Sequence, residues 1–215
     1  MRSRNRVTIA LALVGVCLLY LVGCGEEAAQ QPISASTLVL EADGSFTQCR
    51  VESFDREYYQ LSELDSMIRQ EVQDFVSGKG GQDADGGQPV RVEQVSYLEE
   101  DSSRVMVALH FADSQVYEAY AAEVDQQPRE LFYGTVRQAQ EQGYDLTGNL
   151  LDAKKGTVIT LEQLEKYMDK PVLVFADALQ IRCPSRVLYC SSNVSLNDAG
   201  YAEGTDEGLK YILMK

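Results

Sequence analysis

Thr37-Leu38-Val39-Leu40-Glu41-Ala42-Asp43-Gly44-Ser45-Phe46-Thr47-Gln48-Cys49-Arg50-Val51 is the stretch that decides the fold class. Two β-prone runs flank Asp43-Gly44, and Asp-Gly in that setting signals a tight hairpin. A two-residue turn there puts Leu38, Leu40, Thr47, Cys49 and Val51 on one face. Val39, Glu41, Phe46, Gln48 and Arg50 then share the other. Side chains alternate along a strand, so the grouping hangs entirely on the turn. On this reading Cys49 is a core position.

The pattern changes downstream. Ser62-Glu63-Leu64-Asp65 reads as a helix start, with a serine cap and acids in the first turn. Leu64, Met67, Ile68, Val72, Phe75 and Val76 follow at steps that make one apolar stripe, and Gly78 ends it. Lys79 to Gln88 is glycine-rich and reads as a loop. Val90, Val92, Val95 and Tyr97 are strand-like with a slip that predicts a bulge. After a turn at Glu99–Ser103, Val105, Val107, Leu109 and Phe111 alternate cleanly. Ser114 is the expected cap of a second helix, which ends before Pro128. Leu131 to Tyr133 reads as a short strand.

Thr135 with Gln138, and Thr160 with Gln163, have capping-box spacing, and Gly143 stops the first of these two helices. Lys154-Lys155-Gly156 lies between two short β-prone runs and predicts a hairpin. From Pro171 the chain is β-rich, with strands expected at 172–175, 179–182, 187–190, 193–196 and 209–213. Hairpins interleaved with three or four helices, then a strand-rich meander, predict an α+β fold built on antiparallel sheet.

The start of the chain is of another kind. Arg2, Arg4 and Arg6 precede an apolar run from Val7 to Val22, the arrangement of an export signal. Its 16 residues fall short of the ~20 that span a bilayer as a helix. The run closes on Leu21-Val22-Gly23-Cys24, which resembles the lipobox of bacterial lipoproteins. That resemblance implies diacylglyceryl attachment to the Cys24 thiol and cleavage between Gly23 and Cys24. It makes 1–23 a removed signal peptide and places the protein on the outer face of the cell membrane. One acyl chain binds only marginally, and two hold a soluble domain stably. The ordering of the C-terminal strands is also similar to that in small lipoproteins of Gram-positive gut bacteria, a resemblance that carries no activity with it.

Residues 24–36 have almost nothing to bury and read as a tether, with a reach of about 19 Å for twelve flexible residues. Residues 37–215 are then a single extracytoplasmic α+β domain, with any sub-boundary falling near 128–149. From Cys24 onward the chain has 16 basic residues against 33 acidic, a balance of −17. This argues against nucleic acid as a partner and against adhesion of the body itself to anionic lipid. Solubility is sufficient explanation for the charge.

Catalytic signatures are missing. His110 is the chain's one histidine. It is expected on a strand beside Met106 and Ala108, with no partner to name. There is no G-x-S-x-G elbow. Ser77-Gly78-Lys79-Gly80-Gly81 lacks P-loop spacing. Asp83-Ala84-Asp85-Gly86-Gly87 begins like a calcium loop, but position twelve is Gln94 rather than glutamate. No Cys/His cluster suits zinc, so neither metal nor cofactor is expected. Cys49, Cys183 and Cys190 remain as an odd set, expected to be free and largely buried.

These residues predict a non-enzymatic lipoprotein that binds another envelope protein or a cell-wall component. An enzyme acting on envelope material and a solute-binding transporter subunit are the alternatives. The three differ in what they require. A binding module needs an exposed Tyr-rich apolar patch. An enzyme needs a cleft gathering acids with displaced pKa values. A transporter subunit needs a deep cavity between lobes. Eleven tyrosines lie outside the leader, and most are expected to pack within periodic apolar patterns.

Overall fold

In the computed structural model, β1 (Thr37–Leu40) and β2 (Phe46–Ser53) do form the first hairpin, but in a different register from the one the turn predicts. The structure describes residues 33–78, 87–99, 101–197, 201–205 and 208–215. Leu40 lies opposite Phe46 and Leu38 opposite Gln48. Glu41 N–H donates to Ser45 O at 2.9 Å, so the loop is Ala42-Asp43-Gly44, three residues rather than two. Gly44 takes φ +98°, the left-handed position such loops give to glycine. Asp43 Oδ1 accepts from Ser45 N (3.0 Å) and Ser45 Oγ (2.7 Å), which holds the turn and draws the Asp43 pKa down. One residue of slip swaps the faces. Leu38, Leu40, Phe46, Gln48 and Arg50 share the inner face, and Val39, Thr47, Cys49 and Val51 the outer. Cys49 is buried, on the side opposite the expected core.

The protein is α+β, with two antiparallel-dominated sheets. The large sheet has the order β10-β11-β8-β1-β2-β4-β3. Here β3 is Val90–Leu98, β4 Asp101–Phe111, β8 Gln180–Arg182, β10 Val194–Leu196 and β11 Tyr201–Gly204. A register shift between Val92 and Gln94 is the expected bulge. The small sheet has the order β5-β7-β12-β9-β6. Its strands are β5 Leu131–Thr135, β6 Leu151–Asp152, β7 Pro171–Phe175, β9 Val187–Cys190 and β12 Lys210–Met214. The C-terminal region is strand-rich as expected, but its strands are divided between the two sheets, with β7, β9 and β12 in the small one and β8, β10 and β11 in the large one. The β8–β1 pairing is parallel.

The helices are α1 (Leu61–Gly78), α2 (Ser114–Glu123), α3 (Val136–Glu141) and α4 (Leu161–Leu164), the last continued by a 3₁₀ turn to Tyr167. Both predicted capping boxes form, at Thr135/Gln138 and Thr160/Gln163. The serine caps do not. Asp113 caps α2, accepting from Val116 N–H at 2.8 Å. Gln60 O accepts from Glu63 N–H and Leu64 N–H at the start of α1, two residues ahead of the serine's expected place.

Two cores result. The first joins Leu38, Phe46, Leu109 and Phe111 of the large sheet to Phe75 of α1, Tyr117 and Tyr120 of α2, and Phe175 and Ile212 of the small sheet. Phe46 and Phe111 stack at 5.5 Å, and the tyrosines meet the phenylalanines edge-on, with Phe111 and Tyr117 centroids at 5.2 Å and Phe75 and Tyr120 at 5.2 Å. The second core packs Val172, Val174, Tyr211 and Leu213 against Val136 and Ala139 of α3 and Leu164 of α4. The small sheet is thus covered on both faces, which is why 171–175 reads as a continuous apolar run.

Candidate functional site

The register of the first hairpin brings Arg50 inward, where it meets Asp125 just past the end of α2. Its Nη1 donates to Asp125 Oδ1 at 2.9 Å and its Nη2 to Asp125 Oδ2. The fork is bidentate and partly buried, the strong form of this pair. Arg50 Nε donates to Gln48 Oε1 (3.0 Å), and Gln48 Nε2 donates to Tyr117 OH (3.3 Å). Burial pushes the Tyr117 phenol up to about 12, against the opposing pull of Arg129. Arg129 is itself held by Asp177 at 2.8 Å. A chain of polar contacts therefore fixes β2 to α2 beneath the apolar layer.

Beside this chain a groove of about 620 Å³ opens between α1 and the strands β2 and β4, within the size range of small-ligand sites. Leu64 and Ile68 form its helical wall, and Val105, Val107, Leu109 and Tyr120 its floor. Its mouth is aromatic. Phe54 and Tyr59 have centroids 4.8 Å apart, Tyr58 and Tyr59 4.9 Å, and Phe54 and Tyr97 5.9 Å. Tyr58 is 74% exposed and Met67 on the rim 52%, so apolar surface faces water at the entrance. The connecting segment is tied at both ends. Phe54 N–H donates to Ser103 O at 2.6 Å, and Tyr59 N–H to Arg56 O at 2.9 Å just before α1 begins.

Glu52, Glu63 and Glu71 also line the groove. Among the described residues none of the three is ion-paired, and the groove's arginine is already bound to Asp125. Glu71 lies close enough to the Tyr120 hydroxyl to add to burial in pushing that phenol up to about 12.

A second cleft, about 570 Å³, gathers Asp113, Glu118, Glu130 and Glu141. Two of these acids are engaged in the fold itself. Asp113 caps α2, and Glu118 Oε1 accepts from Leu131 N–H at 3.1 Å. Glu130 sits at the Tyr144 phenol, which burial and that carboxylate push up to about 12. No cysteine, histidine or lysine lines this cleft.

His110 lies on the outer face of the large sheet, opposite Thr47 and Arg91, away from the groove. Burial first and Arg91 second hold its pKa below the ordinary value. Cys49, Cys183 and Cys190 are free thiols. Burial pushes Cys49 up to about 11 and Cys183 up to about 12, and raises Cys190, so they are poor nucleophiles. Among the described residues no three His, Cys, Asp or Glu side chains are placed to hold a metal, and no helix is long and apolar enough to cross a membrane. Gly23, Cys24 and residues 79–86, with most of the calcium-like and phosphate-like stretches, lie outside the described residues.

The sequence reading missed Phe54, Tyr58, Tyr59 and the inward turn of Arg50. A signal was there: three aromatics fall within Phe54-Asp55-Arg56-Glu57-Tyr58-Tyr59, a charged connector with neither helical nor strand period. Rings in such a segment have no element face on which to be buried. No protein-family model, curated protein or solved structure matches this chain.

Proposed function

We propose that this protein is a bacterial lipoprotein, held at the outer face of the cell membrane by a diacylglyceryl group on Cys24, whose body binds an envelope ligand without transforming it. The observation that carries the binding reading is the aromatic mouth of the α1–β4 groove. Exposed Tyr58 and Tyr59 beside Phe54, which Tyr97 meets edge-on from outside the groove, form an apolar contact surface over an apolar floor. The leader Arg2-to-Cys24 supports the anchor.

The test is made in cells. Palmitate label enters the wild type and is lost in Cys24→Ala, which appears in the medium. Photo-crosslinking from position 67 captures an adduct in the wild type that Tyr58→Ala/Tyr59→Ala loses. Label unchanged by Cys24→Ala overturns the anchor. An adduct unchanged by the tyrosine pair overturns the groove.

A further inference from the structure

The groove is apolar inside and acidic around. Glu63 and Glu71 stand on α1 eight residues apart, about 12 Å along the axis. Glu52 faces the same space from β2. The one basic side chain in the lining, Arg50, is already committed to Asp125 through two hydrogen bonds. The groove therefore offers three carboxylates with no cation paired to them among the described residues. At the entrance, the rings of Tyr58 and Tyr59 stand edge to face at 75°, with Tyr58 74% exposed. A tyrosine face attracts cations through its quadrupole, most strongly where water is excluded.

An anion would meet repulsion from three sides and find no free donor of positive charge. A neutral apolar molecule would leave the carboxylates unused. A cation that is itself apolar, or carries an apolar tail, satisfies both parts together. We infer that the groove binds a small amphiphilic organic cation, its tail against Leu64, Ile68, Val105 and Val107 and its charged head among Glu52, Glu63 and the rings of Tyr58 and Tyr59. This rests on the binding role of the groove proposed above and names the class of ligand. The acidity of the whole body, −17 from Cys24 onward, adds a long-range pull of the same sign.

The full-length protein in phosphatidylcholine nanodiscs is titrated calorimetrically with octyltrimethylammonium, octanesulfonate and octanol, with empty discs as blanks. The cation binds at least tenfold more tightly than the sulfonate, and its affinity falls as salt rises from 20 to 300 mM. Glu52→Gln/Glu63→Gln weakens the cation about tenfold and leaves octanol unchanged, a size expected of two partly exposed charge contacts. Equal binding of cation and sulfonate, or a preference unmoved by the glutamine pair, overturns the charge assignment and leaves an apolar groove standing. Binding of none of the three overturns the groove reading itself. So does a dimer in sedimentation that dissociates in Tyr58→Ala/Tyr59→Ala, since a second copy would then be the occupant.

Discussion

Arg50 shows what a single side chain does here. From the second strand it bonds both its strand-mate Gln48 and Asp125, and through Gln48 it reaches the buried Tyr117. Its partner is more enclosed than it is, with side chains 29% and 13% exposed for Arg50 and Asp125. Removing one member of such a pair strands the other charge in a poorly solvated place. Arg50→Ala should cost about 2–3 kcal/mol in urea unfolding. Arg50→Met with Asp125→Leu should cost less than Arg50→Ala alone, because no charge is left behind. A single substitution within about 0.5 kcal/mol of wild type would count the pair as a surface contact.

At the scale of elements, local chemistry was legible and pairing was not. Thr135/Gln138 and Thr160/Gln163 form their capping boxes because such a box closes within four residues. Ser114 and Asp113 are neighbours of similar capping power, and the sequence pattern alone does not choose between them. The hairpin at Asp43-Gly44 was legible as a hairpin. Its loop length was not, because Ser45 as well as Gly44 can close the turn, and the Asp43–Ser45 bonds favour the longer one. That one residue decided whether Arg50 faces the groove or the solvent. Deleting Ala42 should leave Glu41 opposite Ser45 across a two-residue Asp-Gly loop. The variant should then stay within about 1 kcal/mol of wild type and keep Arg50 inward. The Arg50–Asp125 pair reads the outcome: Arg50→Ala should cost the deletion variant as much as it costs the wild type, and no further cost would mean that the strand has flipped. The parallel β1–β8 pair and the short strand β11 left no trace in the pattern, since the first joins residues 143 positions apart, Thr37 with Gln180.

For the whole molecule, pH stability between neutrality and mild acid turns on one group, because the chain has a single histidine. His110 has its pKa held below 6.5 in the fold. The unfolded chain therefore takes up its proton first as pH falls, and protonation favours unfolding. The contribution is fully present above about pH 6.5 and is lost as pH drops through the folded value. The urea midpoint of the wild type should fall from pH 7 to pH 5.5, and that slope should flatten in His110→Gln. The same slope in both proteins would place its origin elsewhere. The acidic balance was legible as a whole-chain property, whereas the gathering of Glu52, Glu63 and Glu71 around one groove was not. They come from a strand and two turns of a helix, and only the packing of α1 across the sheet brings them together.

The strand β12 sits between β7 and β9 with all five residues buried, though it lies later in the chain than any other strand. A ribosome delivers it after both of its neighbours. Until Met214 has emerged, β7 and β9 have no common neighbour and the second core lacks Tyr211 and Leu213. Vectorial synthesis thus withholds cooperative closure of the second core until this strand is made, a built-in delay in the folding of the nascent polypeptide.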